Sequence, residues 1–177
     1  MKKFYLIMMA TLLTVCGAVM AALVPTTETV SVPKSLEVEA GNTVSIPVSL
    51  DNTNENFVAF EMTINLPQGV TPVYNAKGKI APAKTDRLDA SHSMSCNYDE
   101  ANNTIKVVCT SLDNEVITGT TGELFSFDLQ TDASMKTGGY EVSLSDIVFT
   151  TSSTAPEGAV GYSFDMAVTT LAVSGAA

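Results

Sequence analysis

The chain has 177 residues, 19 acidic against 9 basic side chains, one histidine and no tryptophan. A formal charge of −10 repels phosphate backbones and anionic surfaces, which excludes nucleic acid as a partner. The length is that of one domain with a core large enough to hold without staples.

Lys2 and Lys3, the apolar run from Phe4 to Val19 and the small residues up to Ala21 read as a secretory signal, cut after Ala21 or Ala22. Residues 22–177 then form one domain with 7 basic and 19 acidic residues, a net of −12. A second reading competes with the first. Leu13-Thr14-Val15-Cys16-Gly17 sets Cys16 where a lipoprotein signal carries its acylated cysteine, although Val15 stands where such signals want a small residue. No later stretch approaches the ~18 apolar residues of a membrane span, so lipid at Cys16 or a retained leader would be the only anchor.

Past the leader the chain reads as short strands. Glu28 to Val32 is a first strand ended by Pro33; Leu36 to Ala40 follows, then a Gly41-Asn42 turn and Thr43 to Leu50, where Pro47 argues for an edge or a bulge. The loop Asp51 to Asn56 is rich in Asn and Asp. From Phe57 to Leu66 the alternation is strict: Val58, Phe60, Met62, Ile64 and Leu66 fall on one face, and Ala59, Glu61, Thr63 and Asn65 on the other. Pro67-Gln68-Gly69 closes that strand. Val70 to Tyr74 is extended, and the rest up to residue 92 reads as loop.

Ser91 to Tyr98 and Thr104 to Leu112 form a hairpin about Asp99 to Asn103. Glu123 to Thr131 is a strand through Leu124, Phe125, Phe127 and Leu129. Gly138-Gly139 turns into Tyr140 to Leu144, Ile147 to Thr150 follows, Thr151 to Gly161 is a loop, and Ser163 to Val173 ends the chain in strand. Nine or ten short strands without an amphipathic helix specify an all-β sandwich or jelly roll.

Cys96 and Cys109 lie on the two arms of the hairpin. If Tyr98 pairs with Thr104, Cys96 faces Lys106 and the second thiol lies on the other side of the sheet; a register centred between Asn102 and Asn103 would instead allow a Cys96–Cys109 disulfide.

Four segments, LEVEAGNTVSIPVSLDN, NFVAFEMTINLPQGVTPV, NYDEANNTIKVVCTS and TGELFSFDLQTDASMKTGGYEVSLSDIVFTT, occur in an order that resembles the cohesin module, the jelly-roll domain that receives dockerin modules in cellulosome-type assemblies. The resemblance spans about residues 28–173. It implies a nine-stranded antiparallel β-sandwich with jelly-roll topology, no cofactor and a dockerin-like protein partner in an exported polysaccharide-handling system. Pro67 stands where the family often has Asp, and Ala59 where a type I cohesin carries a polar dockerin contact; Glu61 matches an acidic one. The same fold family holds cellulose-binding modules, so a polysaccharide ligand is the rival reading, and an architectural surface module without a small ligand a third.

The residues agree with a binding role. His92, read as a solvated strand-end residue, has no Cys or second His spaced for a metal or a catalytic pair, and acidic groups in loops read as surface charge, so no enzyme is expected. The outward residues Ala59, Glu61, Thr63 and Asn65, beside Thr104, Lys106, Val108 and Thr110, make a flat polar face with Val108 at its desolvated centre, suited to protein docking. For a sugar, Tyr74 and Tyr98 border turns and are the candidate platforms, while Tyr140 alternates with Val142 and Leu144 and belongs to the core. The Asp51–Glu55 loop gathers oxygen ligands without the spacing of a calcium loop.

Overall fold

The computed structural model describes residues 23–156 and 158–175. The leader, its cleavage point and Cys16 lie outside the described residues. The described chain is all strand and loop, with thirteen strands: β1 (Val24–Pro25), β2 (Thr29–Ser31), β3 (Ser35–Glu39), β4 (Thr43–Asp51), β5 (Phe57–Asn65), β6 (Val70–Pro72), β7 (Ala83–Lys84), β8 (His92–Asp99), β9 (Thr104–Ser111), β10 (Glu123–Thr131), β11 (Gly138–Thr151), β12 (Gly161–Ser163) and β13 (Ala167–Ser174). Two sheets result. The larger runs β1-β12-β11-β5-β9-β8, with β13 beside β11 and β3 beside β13; the smaller runs β2-β4-β10-β6, with β7 on β10.

The two-residue alternation sets which sheet faces meet. Val44, Ile46, Val48 and Leu50 of β4 and Phe60, Met62 and Ile64 of β5 are all buried, while their neighbours face out. Pro47 is placed as its missing N–H requires: β2 pairs only with Ser49 to Asp51, so Pro47 lies beyond that ladder. Phe60 of the larger sheet stacks on Phe125 of the smaller at 5.7 Å between ring centroids, and Phe149 packs on Phe57, Phe60 and Phe164 at 4.8 to 5.2 Å. Each such ring contributes roughly 1.5–3 kcal/mol by leaving water.

Bulges explain where simple alternation fails. On β10, Glu123 pairs with Ser49 and Phe125 with Val48, so Leu124 is an extra residue and both Leu124 and Phe125 are buried. On β11, Ser145 pairs with Thr63 but Val148 with Glu61, and Asp146 takes a φ of 50°. Inward residues therefore change phase from Val142 and Leu144 to Ile147 and Phe149. What reads as two strands is one, and the expected final strand is two, because β12 pairs with the stretch after the bulge and β13 with the stretch before it.

The expected nine antiparallel strands are corrected to thirteen, with two parallel pairs: β3 runs parallel to β13 and β1 to β12. The 70–92 segment is loop apart from β6 and the two-residue β7, and one side chain pins it. Arg87 directs all five guanidinium N–H groups inward: Nε to Thr118 O (2.7 Å), Nη1 to Leu50 O (2.8 Å) and Gly122 O (2.7 Å), Nη2 to Asn52 Oδ1 (2.7 Å) and Gly119 O (3.1 Å). One side chain thereby fastens the end of β4 to the approach to β10.

His92 is also corrected, from a solvated residue to one only 1% exposed. Its Nδ1 donates to Asp89 Oδ1 at 2.7 Å and its Nε2 has no partner. Asp89 accepts further from Ser91 Oγ (2.7 Å) and the Ser91 backbone N–H (2.9 Å). The Ser91 hydroxyl first, then the His92 ring, push the Asp89 carboxyl down to about 2. A folded value below the unfolded one adds stability that is complete above the unfolded pKa and is lost as pH falls through the folded one. We expect the urea midpoint to drop between about pH 4 and 2, and Asp89→Asn to flatten that slope; an unchanged slope would remove Asp89 from the acid transition.

Candidate functional site

The face proposed from sequence is assembled as adjacent strands. In the β5/β9 ladder Glu61 lies opposite Val108, Thr63 opposite Lys106 and Asn65 opposite Thr104. β8 extends it outward, with Ser95 opposite Val108 and Asn97 opposite Lys106, while Thr110 faces Ser93. Ala59 lies opposite Thr150 on the other side, and its methyl offers no hydrogen bond.

Sequence reasoning missed β11 as part of this face. Ser145 stands opposite Thr63, Val148 opposite Glu61 and Ser143 opposite Asn65. The alternation of Ser143 and Ser145 with Val142 and Leu144 was the available signal, and the phase change at Asp146 hid its continuation. A row therefore runs across five strands from Ser95 through Val108, Glu61 and Val148 to Ser163. Leu23 extends its apolar part: its Cδ2 lies 2.9 Å from where a Cβ on Gly161 would stand, with Val148 Cγ1 at 3.8 Å from the same point.

Polar groups surround that row. Lys106 Nζ approaches Glu61 Oε1 at 3.3 Å, with both side chains two-fifths or more exposed. Such an exposed pair is worth little to folding, and its ends stay open to a partner. Asn65 Nδ2 donates to Ser145 Oγ (3.0 Å), Ser143 Oγ (3.2 Å) and Ser143 O (3.3 Å), holding three side chains in one arrangement.

The two thiols lie behind this face, in the core layer. The hairpin pairs Asp99 with Thr104, so Cys96 faces Val107 and Cys109 faces Met94. Neither register weighed from sequence is the observed one. Both sulfurs sit on the inner side of the sheet at diagonal positions, where Cβ atoms are ~7–8 Å apart, too far for a bridge. Both are free thiols, and burial pushes Cys96 up to about 11 and Cys109 up to about 12.

Tyr74 and Tyr98 come together on one cleft of about 360 Å³ at the β8 edge. Tyr74 is 50% exposed, whereas Tyr98 is half-buried and donates its hydroxyl to Asn103 Oδ1 at 2.6 Å. Asn103 takes a φ of 52° in the hairpin turn and donates to Leu66 O and Pro67 O, so the Tyr98 ring is fixed to the β5 end. Burial, followed by the charge of Glu100, raises the Tyr98 phenol above its ordinary range. Tyr140 packs against the core as expected. Among the described residues no group of three or more His, Cys, Asp or Glu could hold a metal ion. In the Asp51–Glu55 loop the 6% exposed Glu28 carboxylate accepts from the Thr53 and Asn54 backbone N–H groups, which accounts for the loop as a turn.

Two β-sheets packed as a jelly roll, with a wide and mostly polar outer face, place the protein among the β-sandwich modules. The chain belongs to the cohesin family: the family model for the cohesin domain matches residues 29–170. Among solved structures it is similar to the seventh ScaB type I cohesin from Pseudobacteroides cellulosolvens, at 13% identity and a TM-score of 0.64, covering 85% of this chain and 94% of that one. It is also similar to a chain of the Coh-OlpA-Doc918 type I cohesin–dockerin complex from Clostridium thermocellum, at 15% identity and 0.65, with 84% and 99% covered. A type III cohesin module from the ScaE cell-surface anchoring scaffoldin of Ruminococcus flavefaciens matches at 17% identity and 0.59, with 88% and 93% covered. At these identities the likeness concerns the fold. Among curated proteins none matches the chain.

Proposed function

We propose that this protein is an exported, non-catalytic docking module whose partner is a dockerin-like module seated on the outer face of β8, β9, β5 and β11, in a secreted or cell-surface polysaccharide-handling system. Family membership supports the class of partner. The observation that carries the choice of face is the row in which Val108 and Val148 flank Glu61, with Lys106, Thr63, Asn65 and Thr110 around it. Interfaces of this kind have a small apolar centre that loses its water and a polar rim that sets register. Ala59, which cannot hydrogen-bond, leaves specificity to Glu61, Lys106 and the serines of β11.

Val108→Asp places a charge in the centre and should lower partner affinity about 100-fold, with Glu61→Lys costing about tenfold. Pull-down from the secreted fraction of the source organism, followed by calorimetry on the retrieved dockerin-bearing protein, measures both. Undiminished binding by both variants would rule out this face.

A further inference from the structure

At the margin of the docking face, a trough runs along the free edge of β8. Its central cleft is walled by Tyr74, Ile80 and Tyr98 and adjoins a second depression of about 430 Å³ that shares Lys79, Ile80 and Met94 with it. Tyr74 also forms a wall of a smaller hollow, about 230 Å³, beside Pro82 and Phe127. The trough is therefore open along its length, the shape a linear polymer needs rather than a small enclosed molecule.

Its lining has a consistent chemistry. Tyr74 presents a half-exposed ring, while the hydroxyl of Tyr98 is already used by Asn103, leaving the Tyr98 ring held in place beside it. Ser95, Asn97 and Lys79 also border this cleft, the first two from the outward side of β8, and their side chains make no hydrogen bond or ion pair among the described residues. Lys84, by contrast, is committed to Asp89 O and His92 O. An aromatic face next to a hydroxyl, an amide and an ammonium matches a molecule with an apolar flat side and a rim of hydroxyls. A pyranose ring has that form. A peptide would need pockets for alternate side chains along the β8 edge.

We propose that this trough is a carbohydrate-binding site, in which Tyr74 stacks on a pyranose ring of a polysaccharide chain and Ser95, Asn97 and Lys79 hydrogen-bond its hydroxyls. The site adjoins the docking face without using its centre: Ile80 and Tyr98 pack behind the sheet, while Ser95 and Asn97 are outward residues of β8, opposite Val108 and Lys106.

The test is affinity electrophoresis of the purified chain through gels containing xyloglucan, mixed-linkage β-glucan, glucuronoxylan or polygalacturonate, with calorimetry on the polymer that retards it most. The site predicts retardation by at least one polymer. Tyr74→Ala should then weaken binding about tenfold and Asn97→Ala about threefold, while Val108→Asp leaves it unchanged. Tyr74 is half exposed, so its variant should keep the parent's circular dichroism and melting temperature. Absence of retardation by every polymer would overturn the proposal, as would retardation that Tyr74→Ala leaves intact or that Val108→Asp abolishes.

Discussion

Arg87→Ala should lower the unfolding free energy by about 3–4 kcal/mol, a large part of the 5–15 kcal/mol that holds a typical domain together. Five N–H groups of one guanidinium are taken up by four carbonyls and Asn52 Oδ1. Burial pulls the Arg87 pKa below its ordinary value, with Asp51 partly opposing this, so the group has left some of its water and depends on these acceptors. Alanine leaves the carbonyls of Leu50, Thr118, Gly119 and Gly122 without that donor and separates three chain segments. The loss far exceeds what the exposed Glu61–Lys106 pair can supply. Arg87→Lys should recover less than half, because an ammonium has three donors and no planar fork. Urea unfolding followed by circular dichroism measures both; a loss below about 1 kcal/mol for the alanine variant would show the loops to be held by other contacts.

Phe149→Ala should cost about 3–5 kcal/mol, the range for emptying a buried aromatic position. Phe149 is fully buried and its ring lies 4.9 Å from Phe60, 5.2 Å from Phe57 and 4.8 Å from Phe164. Phe57 and Phe60 are anchored on β5 and Phe164 just past β12, and they cannot all close on the void. Phe60 in turn stacks on Phe125, so the cavity would also loosen contact between the sheets. Phe149→Leu, which keeps most of the volume, should cost about 1–2 kcal/mol. Thermal unfolding of the two variants gives the comparison, and equal losses would mean that ring geometry, not volume, decides. Because Val148 and Thr150 flank Phe149 on the docking face, the alanine variant should also bind a partner more weakly, in proportion to the disorder of β11.

Legibility followed local alternation. β4, β5 and β9 were readable nearly to the residue, because each has one face in the core and a more polar one outside, and β10 was readable in extent although its bulge buries both Leu124 and Phe125. The outward set on β5 and β9 was legible for the same reason, and the ladder joins them as the pattern implied. β11 was half legible, since one extra residue at Asp146 reverses which residues face in. His92 was misread because its environment comes from Asp89 and from packing, neither of which has a period.

Alternation and turn residues, which are local physics, were enough for an all-β sandwich with Val58, Phe60, Met62, Ile64 and Leu66 inside and Ala59, Glu61, Thr63 and Asn65 outside, and the order of four segments carried the resemblance to cohesins. Tertiary structure alone decided the parallel pairing of β3 with β13, the diagonal placement of Cys96 and Cys109, the entry of Val148 into the outer face, the convergence of Tyr74 with Tyr98, and the five bonds of Arg87. Each joins residues far apart in the chain or depends on a register shift of a residue or two. Such relations are fixed by the packing of two sheets against each other, and no short window of sequence contains them.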